Sequence, residues 1–156
     1  MLVTTAQRPQ LFGMLASLQE LTQKDLLTIL IDNNLLTGSL LRYPAGNTVE
    51  FYHRGVRINS SEPFHETFSL PTQNRSRSSN FMNLRDIERY ARSVLTCRVR
   101  IIVELSGPSG HWGHAARNMY RDAVLDAGGD FVWHVDDDNF VLPGAVGRIK
   151  TTCNGN

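Results

Sequence analysis

Short apolar runs alternate with amphipathic stretches along this chain, and the two periods place most of its elements. Residues 26–31 form an apolar run broken only by Thr28 and ended by Asp32-Asn33-Asn34. Its length suits a strand buried on both faces. Residues 1–4 read as the end of another buried strand, and 99–105 as a further one. Residues 131–135 predict a strand that runs straight into Asp136-Asp137-Asp138. Helical spacing puts Leu11, Leu15 and Leu18 on one face of 9–20, with Pro9 in the first turn. Residues 81–97 repeat that period through Phe81, Leu84, Ile87, Ala91, Val94 and Leu95. Residues 114–127 turn Ala116, Met119, Tyr120, Ala123 and Val124 inward, and Gly128 is a natural stop. Pro143 suits the start of a last helix through Lys150.

The middle of the chain is less regular. Residues 48–53 alternate as in an edge strand, while Pro44, Gly46 and Gly55 break up their surroundings. Residues 60–80 are rich in Ser, Asn and Arg and read as a long loop or mobile segment, and 106–110 are a loop by composition. No internal repeat is visible. Strands and helices alternate, which predicts an α/β class with a mostly parallel sheet flanked by helices. The expected organisation is one domain over 1–150, a variable insert around 35–80, and a tail over 151–156. In such sheets ligands bind beyond the carboxyl ends of the strands, near the point where strand order reverses. Thr4-Thr5, Asp32-Asn33-Asn34 and Asp136-Asp137-Asp138-Asn139 stand at three of those ends.

Composition narrows the classes. The 156 residues are 41% hydrophobic and 20% charged, which fits one folded domain rather than a disordered chain. No apolar run approaches the ~18 residues of a membrane span, and no basic stretch marks a signal peptide behind Met1. Cys97 and Cys153 have neither the spacing of a zinc site nor the density of a disulfide framework, so a reducing, cytoplasmic setting is expected. Asn74-Arg75-Ser76 meets the N-glycosylation pattern without that context. Sixteen basic against fifteen acidic residues exclude binding by bulk charge. Residues 51–105 do carry nine basic against five acidic side chains. No aromatic ladder accompanies them, so they read as a solvated face and not as a nucleic-acid surface.

Asp136-Asp137-Asp138 is the conspicuous chemistry. Three adjacent carboxylates repel one another, and a hard divalent cation relieves them because Mg²⁺ or Mn²⁺ takes oxygen ligands and shares them with a diphosphate. A solvated acidic turn with a helix cap is the other reading of the triplet alone. Extended alternation would send Asp136 and Asp138 to one side and Asp137 to the other. An EF-hand loop fits poorly, since Val141 stands at the glycine position. His111, Trp112 and His114 could meet a sugar or phosphate at a helix entry, or cap and pack there. His134 and Trp133 read as core.

Thr4-Thr5-Ala6-Gln7-Arg8-Pro9, Leu15-Ala16-Ser17-Leu18, Leu30-Ile31-Asp32-Asn33, Ala116-Arg117-Asn118, 129–138 and Leu142-Pro143-Gly144-Ala145 occur in one order. The ordered set resembles the nucleotide-sugar half of a family 2 type glycosyltransferase with the Rossmann-like GT-A fold. The likeness covers 1–34 and 111–150 well and 35–105 weakly. It implies that Thr4 and Thr5 line the base pocket, with Arg8 beside it. Asp32 would read the base or ribose, and Arg117 would face the nucleotide. Asp136 and Asp138 would be the D-x-D carboxylates on Mn²⁺ or Mg²⁺, with Asp138 the direct contact. Asp137 would meet the ribose or metal-bound water. The family often carries two acids after the second strand, and here Asn33 follows Asp32.

The resemblance implies a nucleotide-diphosphate sugar as donor, an unassigned acceptor (glycan, lipid or protein), and no nucleic-acid partner. An inverting transfer also needs a carboxylate base for the acceptor hydroxyl. The resemblance places that base downstream of the D-x-D motif, beyond the chain end, with Glu104 and Glu62 as candidates by default. The chain is therefore expected to be the donor-binding half. The alternatives are a non-catalytic nucleotide-binding fragment and another metal-dependent phosphoryl or nucleotidyl transferase. An aspartyl-phosphate enzyme lacks its D-x-D-x-[TV] run here, since Phe140 stands at the last position.

Overall fold

The computed structural model describes residues 1–5, 8–32, 49–58, 84–104 and 114–154. In chain order these form β1 (Leu2–Thr5), α1 (Gln10–Ala16), β2 (Leu26–Ile31), β3 (Val49–His53), β4 (Val56–Arg57), α2 (Leu84–Val94), β5 (Arg98–Glu104), α3 (His114–Leu125), β6 (His134–Asp136) and α4 (Ala145–Cys153). The strands make one six-stranded sheet in the order β4-β3-β5-β2-β1-β6. Every pairing is parallel except the β3–β4 hairpin. The class is therefore α/β with a mostly parallel sheet. No described helix is long and apolar enough to cross a membrane.

Strand order carries the functional consequence. From β1 the sheet grows through β2 and β5 to β3 on one side, and then β6 returns to the other side of β1. The order reverses between β1 and β6. At such a point the connections leave in opposite directions and open a crevice at the carboxyl ends. Leu2, Val3 and Thr4 lie opposite His134, Val135 and Asp136. Thr5 lies opposite Ile31, the residue before Asp32.

Alternation divides the side chains between two layers. Val3, Leu27, Ile29, Ile31, Ile101, Val103 and Val135 face the core shared with α1, α2 and α4. Leu2, Leu30, Tyr52 and Ile102 face Ala116, Tyr120 and Val124 of α3. Leu11, Met14, Leu15 and Leu18 are fully buried, as the helical spacing of the first amphipathic stretch requires.

Several boundaries depart from the pattern reading. The strand expected over 131–135 shortens to β6 and shifts to include Asp136. The helix expected over 9–20 ends at Ala16 and continues as turns to Glu20. The last helix starts at Ala145, two residues after Pro143, and runs through Cys153, so 151–153 are helical rather than tail. The strand expected at an edge is β3, which lies inside the sheet because the two-residue β4 folds back on it. His134, expected in the core, is exposed, since β6 forms the sheet border. Trp133 is partly buried against the core as expected. Of the insert expected around 35–80, residues 49–58 are described and add β3 and β4 to the sheet. The segment 60–80, the loop 106–110, and Asn33, Glu62, Asn74, His111 and Trp112 lie outside the described residues.

Candidate active site at the strand-order reversal

β1 and β6 are parallel neighbours, so Thr4, Thr5 and Asp136 reach the same end of the sheet, and Asp137 and Asp138 follow at once. Asp32 joins them through β2, and its backbone N–H donates to the Thr5 carbonyl at 3.2 Å. Arg8 arrives on the connection after β1, and Arg117 arrives from the first turn of α3. The residues expected to form a site, far apart in the chain, thus meet at one end of the sheet.

The carboxylates are not equivalent. Asp137 is 1% exposed, whereas the side chains of Asp136 and Asp138 are each 51% exposed. Asp137 turns into the layer that Thr5 faces, but the extended alternation expected through all three carboxylates stops at Asp136, where β6 ends and Asp137-Asp138 enter a turn closed by Asn139 N–H on the Asp136 carbonyl at 3.2 Å. Asp137 is well satisfied there. Its Oδ2 accepts from Thr5 Oγ1 at 2.6 Å and from Arg8 Nε at 3.3 Å, and its Oδ1 accepts from Arg8 Nη2. That fork is the bidentate geometry for which a guanidinium is shaped. Arg8 Nη2 also lies 3.3 Å from Asp138 Oδ2. The hydrogen bond to Asp137 raises the Arg8 pKa above its ordinary value, so Arg8 stays cationic.

Asp136 has a different cation. Arg117 Nη2 donates to its Oδ1, and Arg117 Nε donates to Thr4 Oγ1 at 3.0 Å. Thr4 and Asp136 are register partners on the α3 face of the sheet, so one guanidinium reaches both. These two arginines offset the repulsion that the triplet implies, and the sequence pattern alone did not reveal either pairing. Thr4, Thr5 and Asp32 are themselves buried. Thr4 and Thr5 carry hydrogen bonds to Arg117 and Asp137 within the site.

The segment after the triplet is fastened to α1 and the turns beyond it. Val141 N–H donates to Ser17 Oγ at 3.0 Å, and Gly144 N–H donates to Glu20. A groove of about 350 Å³ runs beside Asp136, lined in part by His134, Asn139, Phe140, Leu142 and Arg148.

Glu104, a default candidate for the base, sits at the carboxyl end of β5 but is 1% exposed. It accepts from the backbone N–H groups of Arg54 at 2.9 Å and Gly55 at 3.2 Å, and from Tyr120 Oη. Burial and this carboxylate push the Tyr120 phenol far above its usual range. Glu104 thus holds the β3–β4 turn to α3.

Among the described residues, no three His, Cys, Asp or Glu side chains gather into a ligand group. Magnesium, however, is commonly held by one or two carboxylates plus substrate phosphates. Asp136 and Asp138 are half exposed with one oxygen of each facing an arginine, whereas both oxygens of the buried Asp137 are engaged, so the former two are the residues that could share a cation with a ligand. No family model, curated protein or solved structure matches the chain.

Proposed function

We propose that the crevice between β1 and β6 binds a nucleotide-diphosphate sugar together with Mn²⁺ or Mg²⁺, and that the chain is the donor-binding part of a metal-dependent glycosyltransferase of the GT-A type. The observation that carries the reading is the convergence of Asp32, Arg8 and Asp136–Asp138 at the strand-order reversal. An α/β sheet binds its ligands there. Asp32, at the end of β2, is assigned to the nucleoside. Asp136 and Asp138 are assigned to the cation, which would neutralise the leaving diphosphate when bound. The ordered motifs from Thr4 to Ala145 support the same assignment.

Titration calorimetry with uridine and guanosine diphosphates tests it, with Mn²⁺ and with chelator. Tighter binding with metal is expected. Asp138→Asn should weaken the metal-dependent part, and Asp32→Ala should weaken binding with or without metal. Binding that ignores chelator and survives Asp138→Asn would reduce the triplet to an acidic turn. Binding with no turnover of any nucleotide sugar would favour a non-catalytic nucleotide-binding module.

A further inference from the structure

We infer that Thr5, Asp137 and Arg8 form a relay in which Thr5 and the buried Asp137 fix the Arg8 guanidinium at the mouth of the crevice, where it contacts the diphosphate of the ligand. The inference rests on the reading of the crevice as a nucleotide-diphosphate site. It gives Arg8 the phosphate instead of the base pocket, and it makes Asp137 and Thr5 positioning residues.

Burial changes along the relay. Thr5 is 2% exposed and Asp137 1%, while the Arg8 side chain is 43% exposed. An arginine this open ordinarily samples many rotamers, and its ion pairs contribute little. Here its anchor is a buried carboxylate already held by Thr5. Thr5 Oγ1 donates to Oδ2 of Asp137, and the two carboxylate oxygens also receive Nε and Nη2 of Arg8. The plane of the guanidinium is therefore set by the sheet, although its outer part is in solvent.

Mere neutralisation of Asp137 needs a charge but no fork. Among the described residues, the hydrogen bonds of Arg8 run from Nε and Nη2, which leaves the Nη1 amino group for a ligand. Arg117 also bonds through Nε and Nη2, but it is far less open to a ligand than Arg8. Its side chain is 12% exposed and is engaged by Asp136 and Thr4. Recognition of phosphate oxygens by a guanidinium at this crevice falls to Arg8. Charge balance agrees. Three carboxylates and two guanidiniums leave a formal −1 among Arg8, Arg117 and Asp136–Asp138. Asp32 at the same sheet end makes this −2, which a divalent cation cancels, so the anion expected here is a metal-bound diphosphate.

The test uses Mn²⁺ with inorganic pyrophosphate, which has no base or sugar, and reads affinity by calorimetry on the full chain. Arg8→Gln should weaken binding about tenfold, the scale of one hydrogen bond to a charged group. Arg8→Lys should also weaken it, because an ammonium keeps the charge and loses the fork. Asp137→Asn should cost about as much as Arg8→Gln, and the double variant little more than either, since both break one relay. Thr5→Val should weaken binding about fivefold by loosening Asp137, and Thr5→Ser should restore it. Circular dichroism checks that each variant folds. Thr5→Val changes no charge and keeps the test decisive if a charge variant unfolds. Wild-type affinity in Arg8→Gln or Thr5→Val overturns the relay, as does a wild-type chain that takes no Mn²⁺–pyrophosphate. Pyrophosphate binding through Arg8 without any preference for nucleoside diphosphates would retain the relay and reject the nucleotide reading. Nucleotide binding indifferent to these variants would do the reverse.

Discussion

Thr5 Oγ1 donates a 2.6 Å hydrogen bond to Oδ2 of Asp137, although 132 positions separate them in the chain. The bond is buried, so water does not compete for either group. It joins the end of β1 to the turn after β6 across the reversal of strand order, and through Asp137 it reaches Arg8.

An asymmetry in stability follows from that arrangement. Removing Arg8 leaves the Asp137 carboxylate buried without its cation, whereas removing the Asp137 charge leaves a half-exposed guanidinium that water can solvate. Arg8→Gln should therefore destabilise by about 3 kcal/mol and Asp137→Asn by about 1 kcal/mol. Urea denaturation at neutral pH measures both, and equal losses would count against the burial argument.

Acid should remove specific stability. Burial raises the pKa of Glu50, but hydrogen bonds from Arg100 and Tyr52 and the Arg100 charge outweigh it and bring the carboxyl below its usual range. Asp25 is lowered likewise, where bonds from Lys150 and Thr22 outweigh burial. A folded pKa below the unfolded one stabilises at pH values above the unfolded pKa, and this contribution is lost as pH falls through the folded value. Stability should thus hold above about pH 5 and decline below about pH 4. Glu50→Gln should cost about 2 kcal/mol at neutral pH, because Arg100 loses its carboxylate and keeps only the neutral acceptors Tyr52 Oη and the Ala123 carbonyl beside the amide, and denaturant melts should show a shallower acid decline in this variant.

Thr28 is fully buried, and its hydroxyl has no hydrogen-bond partner among the described residues. It lies between Leu2 and Arg100 in register. Valine has nearly the same shape without the hydroxyl. Thr28→Val should stabilise by about 1 kcal/mol and raise the melting temperature by about 3 °C. A lower melting temperature by scanning calorimetry would mean that the hydroxyl is satisfied in solution.

The β3–β4 turn has a positive φ at both central residues, Arg54 at 50° and Gly55 at 77°, the form that fits the twist of a two-residue hairpin. A Cβ on Gly55 would sit 3.0 Å from Met119 Cγ in a backbone conformation that side chains disfavour. Gly55→Ala should destabilise by about 1–2 kcal/mol. Arg54→Gly should be neutral or mildly stabilising, because Arg54 already bears the left-handed cost that glycine avoids. Thermal melts of the two variants should move in opposite directions or differ by at least 1 kcal/mol in effect.

Local periodicity was sufficient for most elements. The apolar run ended by Asp32 is β2 with the expected bounds, and Tyr120 and Val124 face the sheet from α3 as their spacing requires. Alternation set the faces of Val135 and Asp136, but a turn after β6, which local period does not encode, buries Asp137 and leaves Asp138 exposed beside the same arginine. The periodic properties belong to a few consecutive residues, and a backbone of known period transmits them. Strand order is not such a property. That β6 returns beside β1 exposes His134, brings Thr5 to Asp137, and decides which arginine neutralises which carboxylate. The partners come from separate elements, and the helical and strand periods say nothing about which strands become neighbours. The sequence by itself therefore determined the chemistry available at each strand end. The tertiary structure decided which of those ends meet, because only packing the two helical layers against one sheet closes the distance between them.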